Sequence, residues 1–175
     1  MRRRLVIVSG APGAGKTTLA VPLAGALGLP LFSKDLLKEV LVDALGGGGD
    51  LETTRRFGGA AMELIWSLAA RAPAAVLEAN FRPKSGYERE RLQALDADIL
   101  EVHCDCGPQE TARRFAARAR LDSHDRAAHP LTELSDEMLA EYDRPVALGP
   151  VFRVDTGAAV DIAALAREIE AAWAG

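Results

Sequence analysis

Residues 10–18 read GAPGAGKTT and place a lysine and two threonines directly behind a glycine-rich turn. Gly10, Gly15, Lys16 and Thr17 fill the pattern G-x-x-x-x-G-K-T, with Ala11, Pro12, Gly13 and Ala14 inside it and Thr18 just after. Glycines let successive backbone N–H groups turn inward onto phosphate oxygens, and a helix N-terminus adds partial positive charge at the same point. A lysine at position 16 would reach the β- and γ-phosphates, and a hydroxyl at position 17 suits Mg²⁺. The chemistry expected here is binding of a nucleotide and its metal, ATP and Mg²⁺. A chance match is conceivable in a chain rich in Gly and Ala, but the flanking pattern of strand before and helix after is the context in which the motif is informative.

Other residues could act on the bound phosphates. Asp35 follows a short apolar run and can accept the proton of an attacking hydroxyl while orienting it; capping a helix that starts at Leu36 is its other reading, compatible with the first. Lys38, one turn on, could bind an anionic substrate or be solvated. Glu78 ends the apolar stretch AAVLEAN, where a charge is costly unless used, and it is placed to contact Mg²⁺. A cap or an ion pair is its other reading. Asn80 and Arg82, in NFRP, are candidates for substrate contact. ARRFAARAR (112–120) puts Arg114 and Arg118 four apart on one helical face, with Arg113 and Arg120 beside them. Either that face is solvated, or it forms a lid in which one arginine neutralises charge on the transferring phosphoryl group and another stacks on adenine. His124, Arg126 and His129 could belong to the same moving part. Thr156, in DTG, stands where the adenine is expected to rest.

These residues need a scaffold, and the hydrophobic pattern supplies one. RLVIVSG (4–10) reads as a strand buried on both faces, followed by a helix from about 15 to 27 that Gly28 closes. Further strands are expected at 29–33, 74–80, 98–106 and 151–157. Helices are expected over DLLKEVLVDAL, over 51–72 with a weak point at Gly58-Gly59, over SGYERERLQAL, from Pro108 onward, around LSDEMLAEY and from about 161 to 173. The run at 46–49 reads as a mobile loop on the substrate side. Alternating strands and helices imply an α/β architecture: the P-loop NTPase fold, a five-stranded parallel sheet with helices on both faces and a small helical lid at about 114–130.

Bulk properties narrow the rest. The chain has 175 residues and 49% hydrophobic content, consistent with a single domain spanning 1–175. Its net charge of −4 gives no global basic field of the kind nucleic-acid binders carry. Cys104 and Cys106 are too few for a zinc site and too close for a relaxed disulfide, so free thiols and a cytoplasmic location are expected. No segment reaches the ~18 apolar residues that a membrane helix needs.

Within the nucleotide-binding class, a GTPase needs an N-K-x-D segment, which the sequence lacks. Motors and AAA-type ATPases carry extra coupling modules that a chain of this length has no room for. A small kinase remains. In order, GAPGAGKTTL, SKDLLKEVL, VLEANFRP and ARRFAARAR…HP resemble the small P-loop kinases that include chloramphenicol phosphotransferase, zeta toxins and the polynucleotide 5′-kinase domain. The resemblance covers about residues 4–157. It implies that Asp35 is the general base, that Arg118 approaches the γ-phosphate, and that Arg114 lies toward the base. The group often has Asp where this chain has Glu78. The expected activity is transfer of the γ-phosphate of ATP to a hydroxyl of a small molecule resembling an antibiotic, sugar or nucleoside. Phosphorylation of a nucleotide or nucleic-acid end, or a toxin-like regulatory role with a protein partner, are the alternatives.

Overall fold

The computed structural model describes residues 2–46, 50–121, 131 and 133–175. Strand β1 (Arg3–Ser9) runs into the glycine loop and helix α1 (Lys16–Leu27); then come β2 (Leu31–Ser33), α2 (Lys34–Leu45), α3 (Leu51–Ala69) and β3 (Ala74–Glu78). The chain continues through α4 (Gly86–Gln93), β4 (Ala97–Asp105), α5 (Pro108–Leu121), α6 (Asp136–Ala140), β5 (Val151–Asp155) and α7 (Ile162–Ala174). The strands form one sheet in the order β2-β3-β1-β4-β5. Every pairing is parallel, and β1 lies at the centre between β3 and β4. This is the α/β fold that the sequence pattern predicts.

β1 is apolar at every position from Leu5 to Val8 because both of its faces are covered. Val6 and Val8 pack with Leu19, Leu23, Leu165 and Ile169 of α1 and α7. Leu5 and Ile7 pack on the opposite face with Ile65, Trp66 and Ala69 of α3 and Leu92 of α4. Alternate residues of one strand therefore serve two cores. Gly28 closes α1 in the left-handed conformation and returns its N–H to Ala24 and Gly25 carbonyls. α3 starts where Asp50 accepts from the Thr53 N–H at 2.8 Å. It then passes through Gly58-Gly59 without interruption, because Ala61, Ile65, Trp66 and Ala69 pin one face to the core.

The first switch in strand order, between β3 and β1 on one side and β4 on the other, opens a crevice at the carboxyl edge of the sheet. The glycine loop, the start of α2 and the end of β3 all meet there. Residues 47–49 and 122–130, which include His124, Arg126, His129 and most of the expected lid, lie outside the described residues, as does the side chain of Arg120.

Candidate active site

Three glycines of the loop take positive φ: Gly10 at 131°, Gly13 at 88° and Gly15 at 79°. A Cβ on Gly10 would stand 2.3 Å from the Cys104 carbonyl oxygen, so glycine is required where the chain leaves β1 beside β4. Ala14 N–H closes a turn onto the Ala11 carbonyl at 3.1 Å. The Lys16 ammonium is almost completely buried and donates to the same Ala11 carbonyl at 2.8 Å. Burial pulls its pKa below the ordinary lysine range, and the charges of Glu78 and then Asp35 oppose that shift. Thr156 and Arg114 sit against the far end of the loop. Thr156 Oγ1 donates to the Ala14 carbonyl at 2.7 Å, and Arg114 Nη1 donates to the Thr156 carbonyl at 3.1 Å. Arg114 Nε is also paired to Glu110 at 2.6 Å.

The carboxylate of Glu78, buried at the end of β3, lies beside the loop. It accepts from Ser33 Oγ at 2.5 Å and from Thr17 Oγ1 at 3.3 Å. A hydroxyl and a carboxylate at this edge are hard oxygen donors, and they suit Mg²⁺, which takes few protein ligands and fills its octahedron with phosphate and water. Among the described residues no cluster of three or more His, Cys, Asp or Glu offers an all-protein cage. Thr17 and Glu78 are therefore the residues that could hold the metal.

α2 begins at Lys34, with Ser33 as its N-cap. The expectation that Asp35 might cap a helix starting at Leu36 is therefore corrected: Asp35 lies inside the first turn, one turn before Lys38. The register shifts because β2 ends directly in the helix and Ser33 takes the extended conformation at the junction. Asp35 Oδ2 is 3.9 Å from Arg118 Nη1, so α5 approaches α2 across the mouth of the crevice. Arg113 turns outward and pairs with Glu110 at 2.7 Å, the solvated role.

β3 is followed by a segment whose side chains alternate. Phe81 is buried against Trp66, with ring centroids 6.0 Å apart. Asn80 and Arg82 border a cleft of about 1240 Å³ that also reaches Pro12, Gly13, Gly15, Lys16, Thr17, Thr18, Asp35, Lys38, Glu78, Arg114, Arg118 and Thr156. The structure thus gathers most residues singled out from the sequence around one cavity. Gly10, Ala11 and Ala14 support the loop from behind. Sequence reasoning missed four contributors. Ser33 ties β2 to Glu78. Buried Glu88, on α4, accepts from both the backbone N–H and Nε of Arg82 at 2.7 Å. Tyr142 lines the cleft, and burial pushes its phenol up to about 12, so it stays protonated. Lys84 anchors this wall by bonding the Ala140 carbonyl at 2.6 Å and Asp143 at 2.9 Å. Glu88 was hidden in the charge run ERER, and Tyr142 carried no spacing signal.

The parallel sheet in this order, with a glycine loop leading from its central strand into a helix, defines a P-loop nucleotide-binding protein. The chain belongs to the AAA domain family (AAA_33), which matches residues 5–145. That span fits within this chain, which corrects the expectation that a chain of this length has no room for an AAA-type domain. No curated protein is matched by the sequence. Among solved structures it is similar to a kinase candidate from Chloroflexus aurantiacus, with 29% identity, a TM-score of 0.85 and 98% of each chain covered. It also resembles the APS kinase of Mycobacterium tuberculosis in complex with AMPPNP and APS, at 21% identity, TM-score 0.57 and 99% of each chain. A gluconokinase from Sinorhizobium meliloti aligns at 18% identity and TM-score 0.57, covering 99% of this chain and 94% of its own. The last two likenesses concern the fold. These structural neighbours are kinases or a kinase candidate.

Proposed function

We propose that this protein is an ATP-dependent phosphotransferase that moves the γ-phosphate to a hydroxyl of a small molecule. The observation that carries the reading is the convergence of Lys16, Glu78 and Asp35 on one crevice: Lys16 opens the helix that follows β1, Asp35 stands in the first turn after β2, Glu78 ends β3, and the charges of Glu78 and Asp35 act on Lys16. Loop N–H groups and Lys16 hold the β- and γ-phosphates. Mg²⁺, held by Thr17 and Glu78, would neutralise phosphate charge. Asp35 takes the proton of the acceptor hydroxyl. Its oxygen attacks the γ-phosphorus, the bond to the β–γ bridging oxygen breaks, and ADP leaves. Arg118, opposite Asp35, offsets the charge on the transferring group. Arg114 and Thr156 border the base end of the nucleotide. Positioning and charge neutralisation supply most of the rate.

The kinase neighbours include enzymes whose names state small acceptors, APS and gluconate, which agrees with a small-molecule hydroxyl here. The resemblance to the chloramphenicol phosphotransferase, zeta toxin and polynucleotide kinase group belongs to the same reading, because the loop, Asp35, NFRP and the arginine helix follow in the same order. Asp35→Asn tests it. With a phosphorylated acceptor detected by mass, the variant is expected to keep ATP affinity within a few-fold and to lose at least a hundredfold in kcat. Full turnover in Asp35→Asn would remove Asp35 as the base.

A further inference from the structure

The acceptor end of the cleft carries a chemistry that the phosphate end does not explain. One wall is α3, where Leu51, Arg55, Gly58, Gly59 and Met62 all face the cavity. Successive positions three and four apart lie on one helix face, so these residues form a continuous stripe. Two adjacent glycines in the middle of a helix cost stability relative to alanine. Nothing inside the protein requires them, since a Cβ at either position would meet no atom within 4 Å. Both have non-positive φ, so backbone conformation does not demand glycine either. What the missing side chains create is a flat, open strip on the cavity side of α3.

Cations border that strip. Arg55 lines the cleft and makes no hydrogen bond or ion pair among the described residues. Elsewhere on the lining of the same cleft, Glu88 is only 6% exposed and fixes Arg82 through Nε and the backbone N–H. That clamp uses neither terminal amino group of Arg82, and the guanidinium is half exposed to the cleft. Two acids of the cavity are committed, Glu88 to Arg82 and Glu78 to Ser33 and Thr17, and Asp35 stands 3.9 Å from Arg118. Glu141 stands exposed at the rim. An arginine held rigid and a second lining the same cleft offer guanidinium donors suited to a planar or tetrahedral anion.

We propose that the glycine strip of α3, with Arg55 and Arg82, selects a small polyhydroxylated acceptor carrying an anionic substituent. The carbon frame lies flat on Gly58 and Gly59, the anion is bound by the two arginines, and a hydroxyl elsewhere on the frame is presented to Asp35. This rests on the phosphotransferase reading above and adds the acceptor class to it. A carboxylate and a phosphate ester share the chemistry that the arginines recognise.

The test is a matched panel with the full-length protein, Mg²⁺ and ATP: neutral sugars and polyols, the corresponding sugar acids, and the corresponding sugar phosphates, each read by mass detection of the phosphorylated product. An anionic member is expected to exceed its neutral counterpart at least tenfold in kcat/KM, and the sugar-acid and sugar-phosphate arms identify which anion is taken. Arg55→Ala is expected to collapse that ratio toward one. Gly58→Ala and Gly59→Ala are expected to raise Tm by roughly 2–4 °C, as alanine improves the helix, while raising the acceptor KM several-fold. A purely structural glycine would not couple a higher Tm to a weaker acceptor. Equal or preferential use of neutral acceptors overturns this inference and leaves the kinase reading standing. A higher Tm with unchanged KM overturns the glycine strip. A panel in which no member is phosphorylated overturns the acceptor class, and the same assay run on antibiotics and nucleosides then decides the small-molecule reading separately.

Discussion

Glu78 and Glu101 show what a buried carboxylate is for. Both stand on strands that flank β1, opposite Val8 and Ile7 respectively. Glu78 spends its oxygens on the hydroxyls of Ser33 and Thr17, at the site. Glu101 is fully buried on the other face, where it accepts from Ser9 Oγ and from the backbone N–H groups of Val146 at 3.0 Å and Ala147 at 2.8 Å. Glu78 is legible in the sequence as a charge that ends an apolar strand, whereas Glu101 lies inside β4 and its role emerges only from the structure. Buried beside Glu101, His103 shares Ser9 Oγ at 2.9 Å. Burial lowers the His103 pKa below its usual 6.5, despite the opposing charge of Glu101. A depressed histidine pKa means that the unfolded chain binds the extra proton first. Stability from this residue is therefore complete above pH 6.5 and lost as pH falls below it toward the folded-state pKa. Thermal melts between pH 8 and 5 should show that decline, and His103→Gln should flatten it. An equal decline in His103→Gln would place the titration on another group.

At the scale of elements, the chain between α6 and β5 has little regular structure of its own. It crosses the sheet on Glu101: the carboxylate holds the N–H groups of Val146 and Ala147, and Ala147 has φ of +54°. Tyr142 and the Asp143 anchor lie just upstream, so this tether sets the position of one wall of the cleft. Glu101→Gln would turn an amide donor toward one of three donors and leave a buried group unsatisfied. The expected cost is about 2 kcal/mol, read as a fall in Tm of roughly 4–8 °C. Unchanged thermal stability would show that the tether is dispensable. No sequence pattern announces such an element, because its order comes from a distant carboxylate and not from its own periodicity. Strands β1 and β3 were readable because both of their faces are almost wholly apolar, β4 because its run is apolar apart from Glu101 and His103, and α3 because its inward face repeats every three to four residues.

For the molecule as a whole, nucleotide binding is a folding event in thermodynamic terms. A ligand that binds only the native state at a hundred times its Kd adds about 2.7 kcal/mol. Saturating ATP with Mg²⁺ should therefore raise Tm by roughly 5–10 °C. Lys16→Ala should abolish most of that shift while the unliganded protein still melts cooperatively. The same shift in Lys16→Ala would put the nucleotide outside the loop. Among the described residues no helix is long and apolar enough to cross a membrane, and Cys104 and Cys106 are free thiols, with Cys104 pushed up to about 12 by burial.

By itself, the sequence determined the phosphate loop, the order of strands and helices, and the carboxylates at strand ends. Those features depend on local spacing: positive-φ glycines, apolar periodicity and the cost of charge in a buried strand. Only the tertiary structure decided which distant groups share a cavity. It joined Ser33 to Glu78 across 45 residues, brought Arg118 of α5 to Asp35 of α2, and clamped Arg82 with Glu88. It also turned Gly58 and Gly59 from a weak point in a helix into an open strip on the cleft. The reason is physical: a pair's separation along the chain says nothing of its distance once a parallel sheet brings the carboxyl ends of its strands to one edge.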